Sequence, residues 1–244
     1  MKQALFTVKE NIGLTENVFK MTLCGDCSAI TVPGQFVNIR IDGLFLRRPI
    51  SVCDREKDML TIIYKVVGKG TDIMSKMPVG TELDVLTGLG NGYDLELCGD
   101  APLLLGGGVG VPPMYMLAKE LRNMGKNVSV ILGFNTKNEV FYENEFKELG
   151  CNVTVTTADG SYGTKGFVTD AMPESYTHFF CCGPEPMLKA VYKASKTAGQ
   201  FSFEKRMGCG FGACMGCSCK TITGYKRICK EGPVLKKEEI LWED

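Results

Sequence analysis

The chain has 244 residues, enough for one large or two medium domains with a sizeable core. Lys+Arg and Asp+Glu each number 28, so the formal net charge is zero and no basic surface is set aside for nucleic acid. Nothing behind Met1-Lys2-Gln3 has the apolar run of an export signal, and no apolar stretch approaches the ~18 residues that span a bilayer, so a cytoplasmic protein without membrane contact is expected.

Residues 1–98 read as all-β. Apolar and polar residues alternate in Phe36-Val37-Asn38-Ile39-Arg40-Ile41 and from Leu60 to Val66. Turn signals stand at Pro33-Gly34, Asp42-Gly43, Gly68, Pro78-Val79-Gly80 and from Gly88 to Gly92. Short strands at this spacing predict a small antiparallel barrel, with one helix over Asp72–Met77 stopped by Pro78. Within it, Arg47 and Arg48 precede a strand. The planar fork of arginine suits a diphosphate, although an Arg-Arg pair is more often a solvated surface feature. Ser51 is placed to hydrogen-bond a heterocycle edge. Gly68-Lys69-Gly70-Thr71 offers amides and a hydroxyl at a helix start.

From residue 99 strands and helices alternate, which predicts parallel βαβ units. Strands are expected over Pro102–Leu105, Val128–Leu132, Val153–Val155 and His178–Cys182, and helices over Met114–Arg122, Tyr142–Leu149 and Pro186–Thr197. Gly106-Gly107-Gly108-Val109-Gly110 leaves the first strand and opens the first helix, where glycines admit a pyrophosphate close to the backbone. It is not a strict G-x-G-x-x-G, and a tight strand-to-helix turn explains it equally well. Cys182-Gly183-Pro184 follows a strand at its C-terminal end, where open α/β sheets bind ligands. Cys182 is expected to face a cofactor ring and Cys181 the core. The single histidine, His178, beside a buried strand and without a visible carboxylate partner, reads as structural.

The chain has 12 cysteines. Without an export signal, metal binding and buried thiols are a better account of them than disulfides. Cys24, Cys27, Cys53, Cys98, Cys151 and Cys181 lie in or beside apolar runs and read as small core fillers. Cys209, Cys214 and Cys217 have the C-x4-C-x2-C spacing of three thiolate ligands of a plant-type [2Fe–2S] cluster, with a fourth expected further on. Glycines between them let the backbone wrap a compact inorganic core. Zinc is the main competitor, but structural zinc sites usually use two short knuckles. A redox C-x-x-C pair would leave Cys209 and Cys229 without a role.

The order of these pieces resembles the ferredoxin–NADP+ reductase superfamily over essentially the whole chain. Arg48-Pro49-Ile50-Ser51 is similar to its R-x-Y-[ST] flavin motif, with Ile50 replacing the aromatic residue that packs on the flavin. Gly70-Thr71 matches its second FAD phosphate contact, and Lys65, Val66 and Val67 are assigned to the same site. Gly107, Gly108 and Gly110, with Cys182, Gly183 and Pro184, match its pyridine-nucleotide motifs. The most specific stretch, Glu204 to Cys217 followed by Cys229 to Val234, resembles the electron-transfer subunits of dihydroorotate dehydrogenase type B.

That resemblance implies Cys209, Cys214, Cys217 and Cys229 as ligands of a [2Fe–2S] cluster, with Cys219 the spare. It implies FAD as cofactor and NAD as co-substrate. The loop Gly133-Phe134-Asn135-Thr136-Lys137 has one lysine and no arginine, which favours NAD over NADP. The implied partner is an FMN-containing dihydroorotate dehydrogenase catalytic subunit, two of each chain forming a heterotetramer, and no residue here is required as an acid–base catalyst. Three domains are expected: 1–98, an FAD-binding β-barrel; 99–200, an NAD-binding parallel α/β domain; and 201–244, a small [2Fe–2S] domain. Phe211, Met215 and the chain end near Trp242 are expected at the partner interface. Two other classes stay open: the flavin subunit of an NADH-dependent ferredoxin–NADP+ oxidoreductase or of a sulfide dehydrogenase, and a metal-responsive binding module without electron transfer. The ferredoxin–NADP+ type is expected to carry Asp where this chain has Cys209.

Overall fold

The computed structural model describes residues 1–242. Strands β1 (Lys2–Gly13), β2 (Val18–Gly25), β3 (Phe36–Ile39), β4 (Arg48–Glu56), β5 (Met59–Lys65) and β6 (Glu82–Leu89) close into a barrel in the order β1-β2-β5-β4-β3-β6. All its pairings are antiparallel, so each strand turns one face inward. Phe6, Val8, Met21, Leu23, Val37, Ile39, Leu60 and Ile62 fill the interior. Each such side chain contributes about 1.5–3 kcal/mol on burial.

Two details depart from the sequence reading. The strand expected over Phe36–Ile41 ends at Ile39, and all four residues of β3 are buried rather than alternating. The reason is a cover on its outer side: Asn38 Nδ2 donates to the carbonyl of Cys209 at 3.1 Å, from the cysteine-rich segment. Helix α1 spans Lys69–Ser75, about a turn earlier than expected. Thr71 Oγ1 accepts from the N–H of Val67 at 3.0 Å and of Gly68 at 3.3 Å, which closes the loop and starts the helix there.

The second layer is a sheet of β7 (Leu103–Gly107), β8 (Ser129–Phe134), β9 (Asn152–Thr157), β10 (Thr164–Lys165), β11 (Phe179–Cys182), β12 (Gly199–Ser202) and β15 (Val234–Lys236). Its order is β10-β9-β8-β7-β11-β12-β15, parallel throughout except for β15. Helices α2 (Pro112–Asn123), α3 (Glu143–Glu148) and α4 (Glu185–Ala194) link the parallel strands. The chain runs outward from β7 through β8 and β9, then returns to its other side with β11. The strand order therefore reverses between β7 and β11, the place where such sheets bind ligands.

Helix α2 fastens this sheet to the barrel. Met116 is buried in the barrel core, and Lys119 Nζ bonds Asp54 Oδ2 at 3.0 Å and Glu56 Oε1 at 2.6 Å on β4. The cysteine-rich segment has no strand or helix between Phe203 and Cys217. It continues as a hairpin of β13 (Ser218–Thr221) and β14 (Gly224–Arg227) and rejoins the sheet through β15. The expected divide between residues 200 and 201 falls inside β12. Trp242 packs against Tyr192 and Phe203 and sits under Lys189, whereas Phe211 and Met215 are exposed. Among the described residues, no helix is long and apolar enough to cross a membrane.

Candidate functional site

The β3–β4 register sets the first group. Ile39 faces Arg48, Asn38 faces Pro49, Val37 faces Ile50 and Phe36 faces Ser51. The two arginines part company here. Arg47 is committed to Asp84, with its guanidinium nitrogens 2.9 and 3.1 Å from the carboxylate oxygens, and to the carbonyls of Asn38 and Asp84. The Arg48 guanidinium instead lies over Gly70, so close that a Cβ at 70 would stand 2.0 Å from Arg48 Nε. Arg48 therefore meets the Gly70-Thr71 segment; Lys65 and Val66 are half-buried and Val67 is exposed, with its N–H on Thr71. The Thr71 hydroxyl donates to the Gly68 carbonyl at 3.1 Å and is occupied in shaping the loop.

The nucleotide loops also meet. Cys182 pairs with Gly106 across β11 and β7, so both loops leave the same end of adjacent strands. A Cβ at Gly110 would lie 2.2 Å from the Cys182 carbonyl oxygen, and one at Gly107 would lie 2.3 Å from Met187 Sδ. Gly183 is as tight, with Met187 Sδ at 2.7 Å. Gly108 takes φ +53, a conformation that glycine adopts without strain. Pro112 and Pro113 occupy the first turn of α2, where a missing N–H is no loss. Cys181 is fully buried, and Cys182 is half-buried and packs against the core on the α2 side of the sheet. His178 is buried against Gln200 at 3.2 Å, and burial lowers its pKa, which suits a structural role.

The four expected ligand cysteines fall into two pairs. Cys209 Sγ accepts from the N–H of Ala213 at 3.2 Å and of Cys214 at 3.4 Å, while the Cys209 N–H points to Cys214 Sγ at 3.5 Å. The Cys229 N–H donates to Cys217 Sγ at 3.4 Å. Burial by itself would raise the Cys209 thiol, but main-chain donors from Phe211, Cys214 and Ala213 outweigh it and bring it down to about 6. Burial, reinforced by Cys217, pushes the Cys229 thiol up to about 12. A thiolate at 229 therefore needs a cation beside it, which an iron ion supplies. Among the described residues, no three Cys, His, Asp or Glu side chains converge on a single ion. Two pairs of thiols suit a centre of two irons, each held by two sulfurs. Cys219 lies half-buried on β13 opposite Lys226, and burial raises its thiol.

Sequence reasoning missed the residues that hold this segment. Arg227 Nη1 donates to the Gly212 carbonyl at 2.6 Å, and its Nε donates to Glu231 at 2.9 Å. Asn91 Nδ2 reaches the carbonyls of Glu231 at 3.1 Å and Val234 at 2.8 Å. Asn38 does the same for Cys209. The one local signal for Asn38 is an amide between apolar neighbours.

A barrel of this kind fastened to a doubly wound sheet, with paired thiols at the seam, defines an iron–sulfur reductase of the ferredoxin–NADP+ reductase class. The iron-sulfur cluster binding domain of dihydroorotate dehydrogenase B matches residues 204–241, and the oxidoreductase NAD-binding domain matches residues 104–193. The electron transfer subunit of dihydroorotate dehydrogenase B (NAD+) from Fusobacterium nucleatum is 46% identical over 96% of both chains. That of a Geobacillus species is 43% identical over 99% of both. The chain belongs to this family of dihydroorotate dehydrogenase B electron transfer subunits. Among solved structures, an NADH-dependent reduced ferredoxin–NADP oxidoreductase is 32% identical with a TM-score of 0.88, over 97% of this chain and 90% of that one. Phthalate dioxygenase reductase, 18% identical with a TM-score of 0.64 over 83% of this chain and 69% of that one, shares the fold alone.

Proposed function

We propose that the chain is the electron-transfer subunit of an NAD-dependent dihydroorotate dehydrogenase type B in pyrimidine (UMP) biosynthesis. It passes electrons from the FMN of a catalytic subunit, by way of [2Fe–2S] and FAD, to NAD+. The observation that carries this reading is the pairing of Cys209 with Cys214 and of Cys217 with Cys229, on a segment pinned to the barrel by Asn38. The barrel carries FAD, the parallel sheet NAD, and the cysteine-rich segment after β12 the cluster. When bound, a flavin exchanges one or two electrons, a cluster one, and a nicotinamide a hydride, so flavin belongs between the other two.

The roles of the chain's residues follow from charge and space. Arg48 holds the FAD diphosphate beside Gly70 and Thr71, with Pro49, Ile50, Ser51, Lys65, Val66 and Val67 lining the flavin. Gly107, Gly108 and Gly110 admit the NAD pyrophosphate, and Cys182, Gly183 and Pro184 border the nicotinamide end. Cys209, Cys214, Cys217 and Cys229 ligate the irons. No side chain acts as acid or base, which agrees with the burial of His178. The partner is the FMN-containing catalytic subunit, in a cytoplasmic heterotetramer of two of each chain. It docks near the exposed Phe211 and Met215. The likeness to the ferredoxin–NADP oxidoreductase structure favours a second reading, a subunit of that type of enzyme.

The test is reconstitution with a dihydroorotate dehydrogenase catalytic subunit. Dihydroorotate-dependent reduction of NAD+, lost in Cys229→Ser, supports the first reading. Electron flow from NADH to ferredoxin but none from dihydroorotate supports the second.

A further inference from the structure

We propose that Asn38 is a positioning residue, holding the first cluster cysteine against the flavin strand and so fixing the contact across which electrons pass between cluster and flavin. The inference rests on the FAD and cluster assignments above. Asn38 is 1% exposed and stands opposite Pro49, in the middle of the stretch assigned to flavin. From there its Nδ2 reaches 171 positions along the chain to the Cys209 carbonyl, at 3.1 Å. The main chain of Asn38 is gripped as well: its carbonyl accepts from Arg47 Nη1 at 3.3 Å, and Arg47 is itself clamped by Asp84.

The other half of the contact is shaped to receive this amide. Gly210 takes φ +78, and a Cβ there would stand 2.4 Å from Asn38 Nδ2. Only a glycine next to Cys209 lets the loop close on the barrel. The loop has no strand or helix to fix it between Phe203 and Cys217, so its position relative to the barrel depends on side-chain pins. Arg227 pins it from its own segment, at Gly212. Asn38 pins it from the barrel.

The amide is not there for packing. Its Oδ1 is buried and has no hydrogen-bond partner among the described residues, a desolvation penalty that a leucine of similar volume would avoid. What leucine cannot supply is the donor to Cys209.

The test uses the FAD- and cluster-loaded chain mixed anaerobically with NADH. Absorbance follows flavin reduction, and freeze-quench EPR follows arrival of the electron at the cluster. The variants are Asn38→Leu, Asn38→Asp and Gly210→Ala, the last opening the same contact without touching the barrel core. The expected result is the parent's flavin and iron content and rate of flavin reduction, with cluster reduction slowed about tenfold or more. Combining Gly210→Ala with Asn38→Asp should slow it no further, because both break one contact. If the Asn38 variants do not fold, Gly210→Ala alone decides. Unchanged cluster reduction in a loaded variant overturns the proposal. So does loss of the cluster from Gly210→Ala, which would make the contact one of assembly only. A parent chain without flavin or iron would instead sink the proposed function.

Discussion

The Arg48 guanidinium lies over Gly70, and a Cβ at position 70 would stand 2.0 Å from Arg48 Nε. The two residues come from opposite sides of β5, and neither would mark a phosphate site alone. Gly70→Ala must push the guanidinium aside, and Arg48→Lys removes the planar fork. Hydrogen bonds to a charged group contribute about 1.5–3 kcal/mol, so either change should weaken FAD binding by roughly 10- to 100-fold. Flavin titration of the apoprotein measures this. Arg47→Lys should leave FAD affinity near that of the parent, because Arg47 is committed to Asp84.

The cysteine pairs make a sharper distinction. Cys217→Ser and Cys229→Ser should each lower bound iron well below that of the parent, since each removes one thiol of a buried pair. Cys219→Ser should keep the parent's iron content and EPR spectrum. Iron and sulfide analysis on anaerobically purified variants tests both. Iron lost from Cys219→Ser and kept in Cys229→Ser would reverse the assignment of the fourth ligand.

Gly110→Ala would bring a methyl group to 2.2 Å from the Cys182 carbonyl and force the two nucleotide loops apart. NADH-dependent flavin reduction should then fall by about tenfold or more, with flavin and iron content unchanged. Stopped-flow absorbance with NADH measures the rate. Dithionite should still reduce both centres.

Asp84 gives a pH signature. A hydrogen bond from Arg47 holds its carboxyl below the usual value of 3.8. A folded-state pKa below the unfolded one adds stability above the unfolded value, and that stability fades as pH falls through the folded value. Asp84→Asn should therefore be less stable than the parent at pH 7, by about 1–3 kcal/mol. The gap should narrow once the pH drops below about 4. Thermal unfolding across this range checks the sign.

What could be read from the sequence was local. The C-x4-C-x2-C spacing and the glycine-rich ends of β7 and β11 are short motifs whose residues stay close together whatever the rest of the chain does. The barrel's period-two pattern held only over the first half of β5, because Ile62, Ile63 and Tyr64 are buried in a row. It was obscured in β1, where a register shift between Val8 and Glu10 breaks the alternation. It was misleading in β3, whose outer face is covered by the loop bearing Cys209. Nor could the sequence separate Arg47 from Arg48, since the β3–β6 pairing is what brings Asp84 to one and not the other. The Asn38–Cys209 contact was illegible because 171 positions separate its ends, and an amide between apolar neighbours does not say what it will meet.

Anaerobic purification, with the absorbance spectrum, iron and acid-labile sulfide counts, and EPR of the reduced chain, tests the central claim most directly. The account predicts a flavin spectrum, about two irons and two sulfides per chain, and the rhombic signal of a reduced [2Fe–2S] cluster. Zinc in place of iron, or a chain that binds no flavin, would contradict it.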